Sequence, residues 1–373
     1  MHLIVLCEDF YPKTSGGAHI RWRFCQLAVE RGHDVTVFTP HERDLAKSEV
    51  VNGVEIRRPL RVKPAGKPVY SPVSVITRIA TSILLFAYVG WWLRDQNTDG
   101  LYSGSHLAHW VGKGLSILYD LPLVSFIGYT PSVIPNPSFT PKLLLERVNF
   151  RLFMGDTVFC QTKGVRDVIE ARTESEVSVL HGILNRERII SAISETNRGR
   201  KRADLSVDDN EILLIYVGRL VPVKNPTGAI EVLSELPAEY TLAIVGDGGE
   251  RKAVEEAICK HGVENRVQMC GLLPHEETLT TISAADALIL PSYVESYPTV
   301  VFEALSLNSA AFVTPVGILP TIDHPQLHIG ELDKISDIIA ETAIDSSGGL
   351  DENTLERFSM ERYTDELLSA FEK

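Results

Sequence analysis

The segment ESYPTVVFEAL holds two carboxylates eight residues apart, Glu295 and Glu303, with a tyrosine, a proline and a threonine between them. The apolar run ALIL before it reads as a buried strand, and PSYVES as the loop beyond that strand's carboxyl end. Pro298 suits the first position of a following helix, where its missing N–H would have no partner in any case. Thr299 and Val300 then carry backbone N–H groups aimed out of the helix end. The macrodipole adds partial positive charge, so a diphosphate is favoured there. Glu295 lies outside that end and Glu303 inside it, about 7.5 Å further along the axis. Carboxylates accept from hydroxyls, and a nucleotide sugar has sugar hydroxyls on one side of its diphosphate and ribose hydroxyls on the other. Glu303 stands within TVVFEAL, where a lone charge among apolar residues requires a partner.

A second cluster is YVGRLVPVKN. The apolar run Ile212 to Val217 ends at Gly218, and Arg219 and Lys224 follow in a proline-containing loop at a carboxyl strand end, the edge at which open α/β sheets bind ligands. Two cations at that spacing can hold the two phosphates of a leaving nucleotide and stabilise the charge that grows as a glycosidic bond breaks. A third is YPKTSGGAHIRW, in which Gly16 and Gly17 allow the backbone close to a ligand just before a helix that begins near Ala18. VGDGGE, by contrast, is not GxGxxG and lacks the acidic partner of a dinucleotide fold, which argues against a dehydrogenase.

These loops need a scaffold of parallel strands. Short apolar runs alternate with helix-period segments along the whole chain, the pattern of βαβ units. Strands are predicted at Leu3–Leu6, Asp34–Phe38, Val54–Arg57, Gly100–Tyr102, Leu123–Phe126, Thr157–Cys160 and Ser178–Leu180. A second set is predicted at Ile212–Val217, Tyr240–Val245, Val267–Cys270, Ala287–Leu290 and Ala311–Thr314. Between the sets runs a charge-rich, apolar-poor stretch that reads as a linker. The division is residues 1–185, a first domain; 186–210, the linker; 211–358, a second domain that carries the candidate nucleotide-sugar residues; and 359–373, a terminal helix.

With 373 residues, 44% of them hydrophobic, the chain can fill two cores. A net charge of −13 provides no basic field for a polynucleotide, so nucleic acid is not an expected partner. Yet Arg57 to Arg94 contains no acidic residue and seven basic ones, and within it IATSILLFAYVGWWL, Ile79 to Leu93, is uncharged over 15 residues. That is short of the ~20 a membrane-spanning helix needs. It reads as a helix buried on the first sheet or as a face that rests, with its basic flank and Trp91 and Trp92, on an anionic membrane surface. The N-terminus has no signal-peptide pattern and the five scattered cysteines read as buried thiols, so a cytoplasmic location is expected; residues 57–94 would rest on the inner membrane face only under the second of the two readings.

Taken in order, GGAHIRWRFCQLAVERGHDVTVFTP, NGVEIRRP, YVGRLVPVKN, IVGDGGER, VQMCGLLPHEE, AADALILPSYVESYPTVVFEAL and FSMERYTDELLSAFEK resemble the family-four glycosyltransferases over nearly the whole chain. The resemblance implies a GT-B fold, two Rossmann-like doubly wound α/β domains facing a central cleft, and a retaining, metal-independent hexosyl transfer from a UDP- or GDP-sugar. It implies a glycan or lipid-linked acceptor, with residues 1–185 as the acceptor side, and no cofactor beyond the nucleotide-sugar co-substrate. Arg219 and Lys224 would take the diphosphate, Glu295 the donor sugar and Glu303 the ribose. Thr299 and Val300 would assist at the phosphates, Gly218 would belong to the donor site, Leu272 would mark the base, and Gly16 and Gly17 would face the diphosphate across the cleft. The terminal helix would cross back to the first domain. Two positions depart from the pattern: Gly128 in PLVSFIGYT stands where the family carries a histidine, and VGILPTI keeps Gly317 but lacks a second glycine and an acid. A catalytically impaired nucleotide-sugar-binding subunit is therefore the alternative to an active enzyme. A nucleotide-sugar epimerase fits less well, because no acid and base carboxyl pair for it is evident.

Overall fold

A computed structural model describes residues 1–372 apart from 13–15, 42–44, 61–71, 129–140, 194, 209, 296 and 345–350. The chain divides into two compact units, Met1–Gly182 with Met360–Lys373, and Ile183–Ser359.

In the first unit the elements run β1 (His2–Leu6), α1 (Gly16–Glu30), β2 (Asp34–Phe38), β3 (Ser48–Val51), β4 (Val54–Arg57), α2 (Pro72–Leu93), β5 (Gly100–Ser103), α3 (His106–Tyr119), β6 (Leu123–Ile127), α4 (Pro141–Leu152), β7 (Thr157–Cys160), α5 (Lys163–Glu170) and β8 (Glu176–Val179). The strands form one eight-stranded sheet in the order β3-β4-β2-β1-β5-β6-β7-β8, parallel except for β3 against β4. Alternate residues serve opposite faces, as a period of two requires. Leu3 and Val5 enter a core with α1, whereas Ile4 and Leu6 enter another with α2 and α3.

The second unit holds α6 (Arg186–Ala192), α7 (Glu195–Asp204), β9 (Ile212–Val217), α8 (Pro226–Glu235), β10 (Tyr240–Val245), α9 (Arg251–His261), β11 (Val267–Gly271), α10 (His275–Ala284), β12 (Ala287–Leu290), α11 (Thr299–Ser306), β13 (Ala310–Val313), β14 (Leu327–Ile329), α12 (Ile335–Glu341) and α13 (Glu352–Arg357). Its six-stranded parallel sheet has the order β11-β10-β9-β12-β13-β14. The order reverses direction at β9, where β10 and β12 leave on opposite sides, the kind of switch point where α/β sheets open a crevice. Leu213 and Ile215 join the core under α10 and α11, and Leu214 and Tyr216 join the one under α8.

The chain ends with α14 (Met360–Ser369), which packs in the first unit: Tyr363, Leu367 and Phe371 join the core of α1, and Arg31 pairs with Asp365 at 2.7 Å. Gly182 makes room for it, because a Cβ there would stand 2.3 Å from the Tyr363 side chain.

Several expectations are corrected. Residues 186–210 are not a free linker; they contain α6 and α7, which belong to the second unit. Their charges are consumed there, with Arg198 and Arg202 on Asp286 at 2.8 and 3.0 Å and Lys201 on Glu277 at 2.7 Å. Strands β3 and β14 were not predicted, and β8 starts two residues earlier than expected. All five cysteines are free, but Cys259 is exposed and Cys270 only half-buried.

The apolar helix α2 divides its faces. Val89 and Leu93 are buried against the sheet, while Ile83, Leu84 and Trp91 are exposed. The basic flank behaves differently from the sequence expectation. Arg58 is enclosed and salt-bridged to Glu49 at 2.6 Å, and Arg57 pairs with Glu55 and lies over the Trp92 ring. Lys63 and Lys67 lie outside the described residues. Among the described residues no helix is long and apolar enough to cross a membrane.

Candidate functional site

The second unit gathers most of the expected site residues on the loops that leave β9, β11 and β12. The loop after β9 makes one short turn, Pro222–Lys224, and ends at Asn225 in the left-handed region with φ 47°. Asn225 is buried and its Nδ2 donates to the Pro291 carbonyl at 3.1 Å, which ties this loop to the one after β12. The backbone N–H of Tyr293 donates to the Val223 carbonyl at 2.9 Å, a second stitch between them. The result sets Lys224 beside Glu295, with Nζ and Oε2 2.5 Å apart.

Glu295 is anchored at both oxygens. Ser292 Oγ donates to Oε1 at 2.9 Å, and the loop holding Ser292 is itself fixed by Thr314 Oγ1, which donates to the Ser292 carbonyl at 2.5 Å. Only 6% of the Glu295 side chain is exposed, against 25% for Lys224. The buried Tyr216 hydroxyl lies beneath the turn, 3.4 Å from the Arg219 carbonyl and 3.5 Å from that of Lys224. Burial first, and then the Glu295 charge, push that phenol well above its ordinary range, so it stays a neutral donor. Arg219 is exposed and has no side-chain partner among the described residues, while Gly218 is half-buried at the strand end.

Helix α11 begins one residue later than the sequence suggests. Pro298 is the N-cap, with φ −76° and no side-chain cap, and Thr299 is the first helical residue. The N–H groups of Thr299 and Val300 therefore fall in the first turn, where no intrahelical acceptor exists. Thr299 is exposed and Val300 buried. One turn further on, Glu303 is 8% exposed, and the partner its apolar surroundings demand is His275, whose Nε2 is 2.8 Å from Oε1. His275 opens α10 and was not anticipated, although it stands in the PHEE motif quoted for the resemblance. Leu272 lies just before it in the β11–α10 loop and is 77% exposed.

The loops are packed tightly enough to need glycine. Gly246 has φ 140°, and a Cβ on it would lie 1.9 Å from the Gly218 carbonyl oxygen. VGDGGE thus serves the close approach of the β10 and β9 exits.

The other expected residues belong to the first unit. Gly16 and Gly17 are the first residues of α1, not residues ahead of it. Gly17 faces Arg21, with its notional Cβ 3.3 Å from two guanidinium nitrogens, so the glycine gives that side chain space. Arg21 is buried and donates to the Asp9 and Gly104 carbonyls. Gly128 has Gln161 Oε1 3.3 Å from its notional Cβ. Of the nearby histidines, His109 is buried, its Nδ1 sits 2.7 Å from Ser103 Oγ, and burial holds it well below its ordinary pKa. It is a core histidine. His106 Nδ1 is 3.1 Å from Asn149 Nδ2. Among the described residues no three His, Cys, Asp or Glu side chains are grouped as metal ligands.

Residues 197–324, which include every second-unit residue named above as a site residue, match the family described as glycosyl transferases group 1. The second unit therefore carries a glycosyl transferases group 1 segment. One relative is the phosphatidylinositol N-acetylglucosaminyltransferase GPI3 subunit of Saccharomyces cerevisiae, 23% identical over 350 residues that cover 91% of this chain and 74% of the relative. Among solved structures, the chain resembles Anabaena Alr3699/HepE in complex with UDP at a TM-score of 0.74 and 17% identity, covering all of both chains. It also resembles the same protein in complex with UDP-glucose at 0.72 and 17%, covering all of this chain and 99% of that one. At that identity the likeness is one of fold, and the fold is GT-B.

Proposed function

We propose that this glycosyltransferase belongs to family four and transfers a hexosyl group, with retention and without a metal ion, from a UDP- or GDP-sugar to a glycan or lipid-linked acceptor in cell-surface polysaccharide or glycoconjugate synthesis. The observation that carries the reading is the Lys224–Glu295 pair, seated at the carboxyl edge of a parallel sheet with the exposed Arg219 on the same loop. In this account Arg219 and Lys224 neutralise the diphosphate, the N–H groups of Thr299 and Val300 add to that field, and Glu303 takes the ribose. Glu295 accepts from a donor-sugar hydroxyl with an oxygen that Lys224 and Ser292 have already oriented.

As the bond from the sugar C1 to the diphosphate breaks, its electron pair goes to the leaving oxygen. The cations hold that charge, which is where electrostatic stabilisation counts most. The acceptor oxygen bonds to C1 on the face just vacated, and its proton passes to the leaving phosphate. HepE, with the same fold, binds UDP and UDP-glucose, which supports a nucleotide-sugar donor. The test is release of UDP or GDP from its sugar conjugate in the presence of cell lipid extract and EDTA. Binding of donor without turnover in any extract would favour the impaired subunit instead.

The reading includes a cytoplasmic protein that meets an anionic membrane surface through the exposed stripe of α2, with Arg94 at its end. Because Arg58 is internal, the apolar residues rather than the upstream arginines are the ones to change. Ile83→Ser with Trp91→Ser should lower co-sedimentation with anionic liposomes by roughly tenfold. Equal binding of this variant and the wild type would remove the membrane from the account.

A further inference from the structure

We propose that His275 is a positioning residue for donor recognition: it holds Glu303 by one oxygen and leaves the other for the ribose hydroxyls, while Arg188 fixes the imidazole tautomer that does so. The inference rests on the reading of Glu303 as the ribose ligand. Arg188 Nη1 lies 3.1 Å from His275 Nδ1. A guanidinium has hydrogens to give and no lone pair to accept with, so Nδ1 must be the acceptor and the imidazole hydrogen must reside on Nε2. That N–H is the one 2.8 Å from Glu303 Oε1.

The three residues come from three elements whose mutual placement is fixed. Arg188 lies in the first turn of α6, and its backbone N–H donates to the capping Asn185 Oδ1 at 3.2 Å. Helix α6 is tied to α10 by Ser283 Oγ, which donates to the Ala192 carbonyl at 2.9 Å. His275 opens α10, and Glu303 sits in the middle of α11. Two members of the row are part-exposed and the third is nearly buried, with side chains 37%, 40% and 10% exposed for Arg188, His275 and Glu303. Its outer end is wet and its inner end is the carboxylate. A glutamate has three rotatable bonds, and fixing one oxygen before the nucleotide arrives removes that ordering from the cost of binding. Arg188 lies outside the segment matched by the family model, so this arrangement joins α6 to the site.

The effect should be confined to the ribose. Affinities of UDP and GDP and of their 2′-deoxy and 3′-deoxy forms are measured by calorimetry for the wild type and for His275→Ala, His275→Gln, Arg188→Ala, Glu303→Ala and the His275→Ala/Glu303→Ala pair. For the nucleotide that binds, the wild type should prefer the ribo form over a deoxy form by about tenfold or more. His275→Ala should bring that ratio to within about twofold with the deoxy affinity unchanged, and His275→Gln, which keeps an N–H donor, should restore part of it. Adding His275→Ala to Glu303→Ala should change nothing further. A ratio that survives in His275→Ala, or ribo and deoxy affinities that fall together, overturns the proposal. Should His275→Ala fail to fold, an unchanged ratio in Arg188→Ala together with full loss in His275→Gln overturns it as well. A ratio untouched by Glu303→Ala defeats the reading of Glu303 itself, a result separate from failure of the His275 link.

Discussion

Glu295→Ala is expected to lower the rate of sugar transfer by on the order of 10²- to 10³-fold while nucleoside diphosphate affinity stays within about threefold of the wild type. The asymmetry follows from how the carboxylate is held. Both its oxygens are anchored, by Lys224 and Ser292, in a position only 6% exposed, so its orientation is set before any sugar arrives. Removing it takes away an acceptor aimed at the sugar. It leaves Lys224, a quarter exposed, free to remain with the phosphates. Lys224→Ala should behave differently, weakening nucleotide binding and turnover together, because it deletes a cation at the diphosphate. It also leaves a nearly buried carboxylate with a single hydroxyl partner, at a cost of about 1–3 kcal/mol in stability, between the limits for surface and buried ion pairs. Glu295→Gln, which keeps an oxygen for the Ser292 bond, should fold like the wild type and still be slow. Steady-state assay beside calorimetry separates these outcomes, and equal rates for Glu295→Ala and wild type would remove Glu295 from the chemistry.

The second large effect is on stability. Gly246→Ala should lower the unfolding free energy by about 2–4 kcal/mol, through a left-sided φ combined with overpacking. At φ 140° and with a carbonyl oxygen 1.9 Å from where its Cβ would be, an alanine can fit only if the β9 and β10 exits part. The same exits are joined by Gly218 N–H to Val245 O at 3.0 Å and Leu220 N–H to Asp247 O at 3.0 Å, so parting them breaks those bonds. Arg219 is on that strand exit, and the variant should lose nucleotide affinity as well as stability. Gly249→Ala, three positions later with nothing near its Cβ, is the control and should be close to neutral. Denaturant titration of both variants checks this.

The central parallel strands were legible because they are apolar runs buried on both faces, as ILLIYV shows by feeding alternate residues to two cores. The two strands that were not predicted are edge strands with weaker runs, SEVV and LHI. The first has a local mark in the sequence. Asn52 and Gly53, at φ 50° and 77°, form the tight turn between β3 and β4, and an Asn-Gly pair between two β-prone runs is a hairpin mark. The charge-rich stretch from 186 to 210 resembled a linker because its acidic partners, Asp286 and Glu277, are some 80 residues away and cannot be read locally. At the site, sequence spacing singled out Glu295, Glu303, Arg219 and Lys224 but not who touches whom. Lys224 and Glu295 were expected to serve different parts of a ligand, and they are in contact. The demand of Glu303 for a partner was visible in TVVFEAL, while the identity of that partner, His275, depends on how α10 meets α11.

The most direct measurement is binding of UDP, GDP and ADP to the whole chain, read as a shift in thermal midpoint against ligand concentration. A ligand bound only by the folded state adds about 2.7 kcal/mol of stability at a hundred times its dissociation constant. One of the three should raise the midpoint in the wild type, and the rise should vanish when Arg219→Ala and Lys224→Ala are combined. No shift with any of them, or a shift that the double variant keeps, would contradict a nucleoside diphosphate held by these two cations.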